Sequence, residues 1–152
     1  MRETMKSIEP LLKECKIGVL QCREIPSAVA LWRKTEGVGL SAEETDEMLS
    51  AFLDRNPGIS SSALAGDGSL VGALLGGHDG RRGYLYHLAV EDSYRDLGLG
   101  RLLVRRTTAE LARLGIAKAA IMVYSGNAQG RAFWEHLGWT VRPDLDLMQI
   151  KI

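Results

Sequence analysis

The sequence predicts a mixed α+β fold: a central mixed sheet with helices on both faces, in the order β-α-α-β-β-β-α-β-α-β-β. Three observations lead there. Tyr84–Val90 is rich in aromatic and branched side chains and holds no breaker, as a strand requires. From Leu99 the apolar spacing turns helical, and the apolar run Lys118–Tyr124 follows, so one β-α-β unit with neighbouring parallel strands is expected. Ahead of it, Ser60–Ala65 and Ser69–Gly77 read as strands joined by Gly66-Asp67-Gly68, a hairpin signal.

Taken in order, residues 1–16 read as an N-terminal extension, with Ile8, Leu11 and Leu12 compatible with a short helix, and 17–152 as a single domain. Ile17–Glu24 alternates weakly and is the first strand. Pro26-Ser27 opens a helix through Glu36, with Val29, Leu31 and Trp32 as its apolar residues, and Gly37-Val38-Gly39-Leu40 breaks it. Ser41 and Glu44 have the spacing of a capping box, predicting a helix start there, with Met48, Leu49, Phe52 and Leu53 on the buried stripe. Gly76–Gly80 turns the chain into Tyr84–Val90. The next helix carries Leu99, Leu102, Leu103, Thr107, Leu111 and Leu114 on one stripe, with Gly115 where a left-handed cap is wanted. Lys118–Tyr124 is apolar enough to be buried on both faces. A short helix over Ala128–Leu137 ends at Gly138. Trp139–Val141 and Leu147–Ile152 read as closing strands around the turn Arg142-Pro143-Asp144.

Of the 152 residues 45% are apolar and 25% charged, and 19 basic residues balance 19 acidic ones. That balance argues against nucleic acid or an acidic membrane as a partner. Locally, Arg95, Arg101, Arg105 and Arg106 cluster in sequence around one loop, which suits a phosphate-bearing ligand or a solvated helix face. Cys15 and Cys22 make no disulfide framework or zinc spacing. The N-terminus lacks a long apolar run, so a cytoplasmic protein without a membrane partner is expected.

That loop is Arg95-Asp96-Leu97-Gly98-Leu99-Gly100. Glycines remove side chains, so a ligand can approach the main chain closely. The first amides of the following helix have no intrahelical partners, and the helix dipole favours negative charge there. The result is an anion cradle, suited to phosphate or pyrophosphate; an ordinary turn with convenient glycines shows the same local residues. The dinucleotide fingerprint fails because Leu103 stands where its third glycine belongs, and the NTPase phosphate loop fails because Arg101-Leu102 follows Gly100.

LAVEDSYRDLGLGRLLV resembles the acyl-CoA-binding motif of the GNAT N-acetyltransferase superfamily, Arg/Gln-x-x-Gly-x-Gly/Ala after a strand ending in Ala-Val. Arg95, Gly98 and Gly100 stand at its positions. Ser125-Gly126-Asn127-Ala128 leading to Ala132-Phe133-Trp134-Glu135-His136-Leu137-Gly138-Trp139 is similar to the family's second block, and the two cover about half the chain in the right order. The resemblance implies a GNAT-like sheet whose fourth and fifth strands splay apart. It implies acetyl-CoA as cofactor, bound through the main chain of Leu88, Ala89 and Val90, the loop Arg95, Asp96, Leu97, Gly98, Leu99, Gly100 and Arg101, and Asn127 and Trp134. The acceptor would be a primary amine on a small molecule, amino acid or peptide. A homodimer is compatible with such a fold.

An alkyl amine has a pKa of about 10.4 and must lose a proton before attack. In related enzymes the base stands at the positions of Tyr84 and Tyr86, which here would relay through water, with Glu91 and Tyr124 as further catalytic candidates. Strand parity turns His87 away from Tyr84, Tyr86 and Leu88, packed under a helix. Trp134 departs from the family, because most members have there the Tyr that protonates the departing thiolate, and an indole only donates hydrogen bonds. Tyr124 could substitute. Trp32 and Gly37–Leu40 fall where the resemblance places the acceptor lid, while His78, Asp79, Arg81 and Arg82 read more simply as a solvated turn. Direct transfer of an acetyl group is thus the leading expectation. The alternatives are a catalytically weak acyl-CoA-binding or regulatory module, motivated by Trp134, and a nucleotide-binding domain unrelated to acyl transfer.

Overall fold

The computed structural model describes residues 12–152, so most of the extension read in residues 1–16 lies outside the described residues. The chain divides into two compact units, one running to Met122 and the other Val123–Ile152.

The first unit is built on a five-stranded sheet ordered β1-β2-β3-β4-β5: β1 (Lys16–Val19), β2 (Ser61–Leu64), β3 (Leu70–His78), β4 (Gly83–Val90) and β5 (Ala119–Ile121). All pairings are antiparallel except the parallel β4–β5 pair across the crossover helix α3 (Leu99–Arg113). Helices α1 (Ile25–Lys34) and α2 (Asp46–Arg55) precede β2. One core joins Ile25, Ala28, Val29, Leu31 and Trp32 of α1, Leu49 and Leu53 of α2, and Ala73, Leu75 and Ala89 of the sheet. The alternate positions of β3 face α3, because a side chain on Gly72 or Gly76 would strike Leu103 or Thr107. Helices therefore cover both faces, as expected. At Gly76 an added Cβ would lie 2.5 Å from Thr107 Cγ2 and 2.9 Å from Ile59 Cγ2. Gly76→Ala is expected to cost about 1–3 kcal/mol by overpacking, read as a lower urea midpoint with unchanged slope.

Several boundaries differ from expectation. The first strand stops at Val19, and Cys22–Glu24 form a 3-10 turn in which Glu24 Oε1 accepts from the Gln21 amide at 2.9 Å. The Ser41–Glu44 box does form, the Ser41 amide donating to Glu44 Oε2 at 2.8 Å, yet it closes an isolated turn. The helix begins at Asp46 because the Thr45 hydroxyl caps the Met48 amide at 3.2 Å and Asp46 and Glu47 favour that end of the dipole. Leu49 and Leu53 are buried but Met48 is exposed. On α3, Val104 joins Leu99, Leu103, Thr107 and Leu111 in the core, while Leu102 and Leu114 face solvent. The fifth strand is far shorter than Lys118–Tyr124, and Met122 and Tyr124 are exposed rather than buried on both faces.

The second unit holds α4 (Ala128–His136), whose N-cap Asn127 accepts the Gly130 amide through Oδ1 at 2.9 Å, with Gly138 in the left-handed region beyond its end. Among the described residues no strand follows. Trp139–Val141 and Leu147–Ile152 are not closing strands: Met148 is 89% and Ile150 86% exposed. Alternation gives a strand only where a sheet edge receives it. Among the described residues no helix is long and apolar enough to cross a membrane.

Candidate active site

β5 pairs with β4 only from Gly83 to Leu85, where Ile121 is its last partner. From Tyr86 to Val90 the β5-side edge of β4 has no strand beside it among the described residues, because β5 ends at Ile121. On the other edge the register with β3 jumps. Ala73 faces Ala89 and Leu75 faces Tyr86, so β4 carries one residue more than β3 across this step. That residue is accommodated at His87, a non-glycine held at φ 57°. Such conformations cost of order 1–3 kcal/mol and persist where the surroundings over-determine them. The bulge also reverses parity. His87 lies on the α1 side with Tyr86, not on the opposite face: its ring packs 5.5 Å from that of Trp32 and 6.3 Å from that of Tyr86.

The free edge of β4 runs into the glycine loop. Asp92–Tyr94 form a 3-10 turn, Asp96 (φ 60°) and Gly98 (φ 84°) both adopt the left-handed conformation, and α3 starts at Leu99 with no side chain among the described residues capping it. The amides of Leu99, Gly100 and Arg101 have no intrahelical acceptor and point out of the helix end. Among the described residues, an ideal Cβ on Gly98 would meet nothing within 4 Å. Arg95 latches the loop to the strand end, donating from Nε to the Val90 carbonyl at 3.1 Å and pairing with Asp92 at 3.1 Å. Arg106 is not part of this cradle. Its guanidinium is drawn to the carbonyls of Gly58, Ile59 and Ser60 and to Ser61 Oγ.

The candidate proton-handling residues fare differently. Tyr84 and Tyr86 stack at 6.4 Å. Burial, then the nearby Tyr84 and Glu44 charges, raises the Tyr86 pKa, so its phenol keeps its proton at neutral pH. Glu91 is tied to Lys34 Nζ at 2.5 Å. A small cavity of about 70 Å³ lies here, lined by Leu31, Lys34, Val90, Glu91 and Arg95. Trp32, expected at the acceptor lid, is fully buried in the core, its indole nitrogen without a partner among the described residues. Sequence reasoning missed Glu44 altogether. Its Oε1 lies 2.7 Å from His87 Nε2, while Oε2 is held by Ser41. The only signal was Glu44 itself, whose local role as a capping residue hid the long-range one.

Within the second unit Asn127 serves as the N-cap of α4. Trp134 is buried there, edge-on to Phe133 at 5.2 Å and to Trp139 at 4.9 Å. Tyr124 is exposed.

Comparison with known proteins gives a consistent result. An acetyltransferase from Yersinia pestis (strain Pestoides F) is 33% identical over 81 residues, 53% of this chain and 57% of that protein. An acetyltransferase from Sodalis glossinidius is 32% identical over the same shares. The chain thus matches little more than half the length of these curated relatives. The crystal structure of the PaiA N-acetyltransferase from Thermoplasma acidophilum in complex with coenzyme A superposes with a TM-score of 0.75 at 19% identity, covering 87% of this chain and 92% of that one. An acetyltransferase from Streptococcus agalactiae gives 0.73 at 16% identity, covering 91% and 92%. These structures share the mixed α+β fold. The model of the acetyltransferase (GNAT) family matches residues 25–139, from the first residue of α1 through the glycine loop to the tryptophan after α4, and the chain belongs to that family.

Proposed function

We propose that this protein is an acetyl-CoA-dependent N-acetyltransferase that moves an acetyl group directly to a primary amine of a small molecule, amino acid or peptide. The observation that carries this reading is the edge of β4, Tyr86–Val90, unpaired among the described residues and leading into the N-terminus of α3, which none of them caps. An extended polar arm can hydrogen-bond along such an edge as an added strand would. A pyrophosphate can then take the amides of Leu99, Gly100 and Arg101, since charge-assisted hydrogen bonds are the strong ones. The donor supplies an acyl carbon already activated as a thioester. The chain's own residues do the rest. Leu88, Ala89 and Val90 offer main-chain groups to the arm, and Arg95 to Arg101 hold the charged end. Tyr84 and Tyr86 relay protons through water, beside Glu91. For the second unit the resemblance implies cofactor contacts by Asn127 and Trp134 and proton delivery by Tyr124. The whole of residues 17–152 would work as one domain.

Isothermal titration with acetyl-CoA, with adenosine nucleotides as competitors, tests this reading. Saturable binding that requires the pantetheine arm, followed by thiol release with spermidine, lysine or an alanine-initiated peptide, supports it. Failure to bind acetyl-CoA withdraws it. A second reading, a weak acyl-CoA-binding module, is favoured by Trp134, which stands where the family's proton donor usually does. Under the enzyme reading Trp134→Tyr leaves thiol release within about threefold, whereas a rise of ~10²-fold or more would show that the native chain lacks its acid.

A further inference from the structure

We propose that His87, poised by Glu44, is the group that takes the proton from the acceptor's ammonium; the proposal rests on the transfer reaction above and names its base. Histidine is ordinarily the side chain suited to this task near neutral pH. Four features of the structure single out this one. Its backbone sits in the left-handed region at the bulge of β4, immediately before Leu88, where the strand's other edge has no strand beside it among the described residues. Its Nε2 lies 2.7 Å from Glu44 Oε1, which fixes the neutral tautomer with the proton on Nε2 and the lone pair on Nδ1. Nδ1 has no hydrogen-bond partner among the described residues. Trp32 beneath and Tyr86 beside the ring restrict its rotation, and the side chain is 11% exposed.

Glu44 is equipped for the supporting role. Burial works to raise its pKa, but the hydrogen bonds with His87 and Ser41 outweigh it and the net shift is downward, so it stays a carboxylate. The groups that face the imidazole are Glu44 from the loop before α2 and Tyr86 from its own strand. Helix α1 presents the uncharged Trp32. Chemically, the ammonium gives one proton to Nδ1, and the resulting imidazolium is balanced by the Glu44 carboxylate. The freed nitrogen lone pair forms the C–N bond to the acetyl carbon, the C–S bond breaks, and its electron pair leaves on sulfur. The second nitrogen proton goes to that thiolate, giving amide and CoA thiol, and the imidazolium returns its proton to solvent.

The test uses His87→Asn and Glu44→Gln. Asparagine tolerates the left-handed conformation, so the bulge is kept while the base is lost. With spermidine, lysine or an alanine-initiated peptide as acceptor, His87→Asn is expected to lower kcat by about 10²–10⁴-fold and to remove the acidic limb of the kcat/KM profile. Glu44→Gln is expected to move that limb to lower pH, because the imidazolium loses its counter-charge; a packing role alone would leave it in place. Both variants should bind acetyl-CoA as the parent does. Nitrogen-15 NMR of the histidine rings, assigned by loss of a signal in His87→Asn, needs no acceptor. It should show Nε2 protonated at high pH and Nδ1 gaining its proton on acidification. A proton on Nδ1 in the neutral form, or unchanged kcat and pH profile in an active His87→Asn, overturns the assignment while acetyl-CoA binding and turnover leave the transferase reading standing. Failure of the parent to bind acetyl-CoA defeats that reading instead.

Discussion

Gly100→Glu is expected to weaken acetyl-CoA binding by more than ~100-fold while leaving the melting temperature unchanged or raised. The two effects have opposite signs for physical reasons. Gly100 stands in the first turn of α3, outside the left-handed region, so any side chain fits its backbone. Replacing a helical glycine recovers about 0.5–1 kcal/mol, and an acidic group near a helix N-terminus adds about 0.3–1 kcal/mol. The same carboxylate would occupy the positive end that the pyrophosphate needs and would repel its charge. A 100-fold loss corresponds to about 2.7 kcal/mol, within the reach of a few charge-assisted hydrogen bonds. Gly98→Glu provides the contrast. With Gly98 at φ 84°, a side chain there costs roughly 1–2 kcal/mol in strain, so binding and stability should fall together. Calorimetric titration beside thermal melts reads both, and affinity retained within about threefold in Gly100→Glu would remove the helix end as the anchor.

Trp32→Ala is expected to cost about 3–5 kcal/mol, a large share of the about 5–15 kcal/mol that holds a typical domain together. The indole is fully buried in the core that joins α1, α2 and the sheet. Trp32→Phe is the informative partner. It keeps an aromatic floor under His87 and removes a buried N–H that has no partner among the described residues, which offsets part of the lost volume. Its melting temperature should therefore fall far less than that of Trp32→Ala. Acceptor KM should stay within about threefold; a large rise in KM without loss of stability would return Trp32 to the acceptor side.

What the sequence by itself determined is the part governed by neighbours along the chain. The Gly66–Gly68 hairpin, the β4–loop–α3 succession and the caps at Gly115 and Gly138 obey local rules, and each is found in place. So does the backbone of the glycine loop, because the conformation of Gly98 and the start of α3 after it depend on residues a few positions apart.

Only the tertiary structure decided the rest, and one residue accounts for much of it. Side-chain direction along a strand has period two, so a single extra residue turns the remainder of the strand to the other face. The bulge at His87 could not be read from Tyr84–Val90 alone, because it exists only relative to the register with β3. It brings the imidazole to Glu44, 43 residues away in the chain, where local spacing had assigned that carboxylate to a helix cap. Arg106 left the cradle for the same kind of reason, since three backbone carbonyls nearly fifty positions earlier outbid a sequence neighbour. The alternating run Leu147–Ile152 had the period of a strand but not the neighbour that makes one. Periodicity expresses what a segment can become; pairing across the sheet, with its hydrogen bonds and burial, decides what it is.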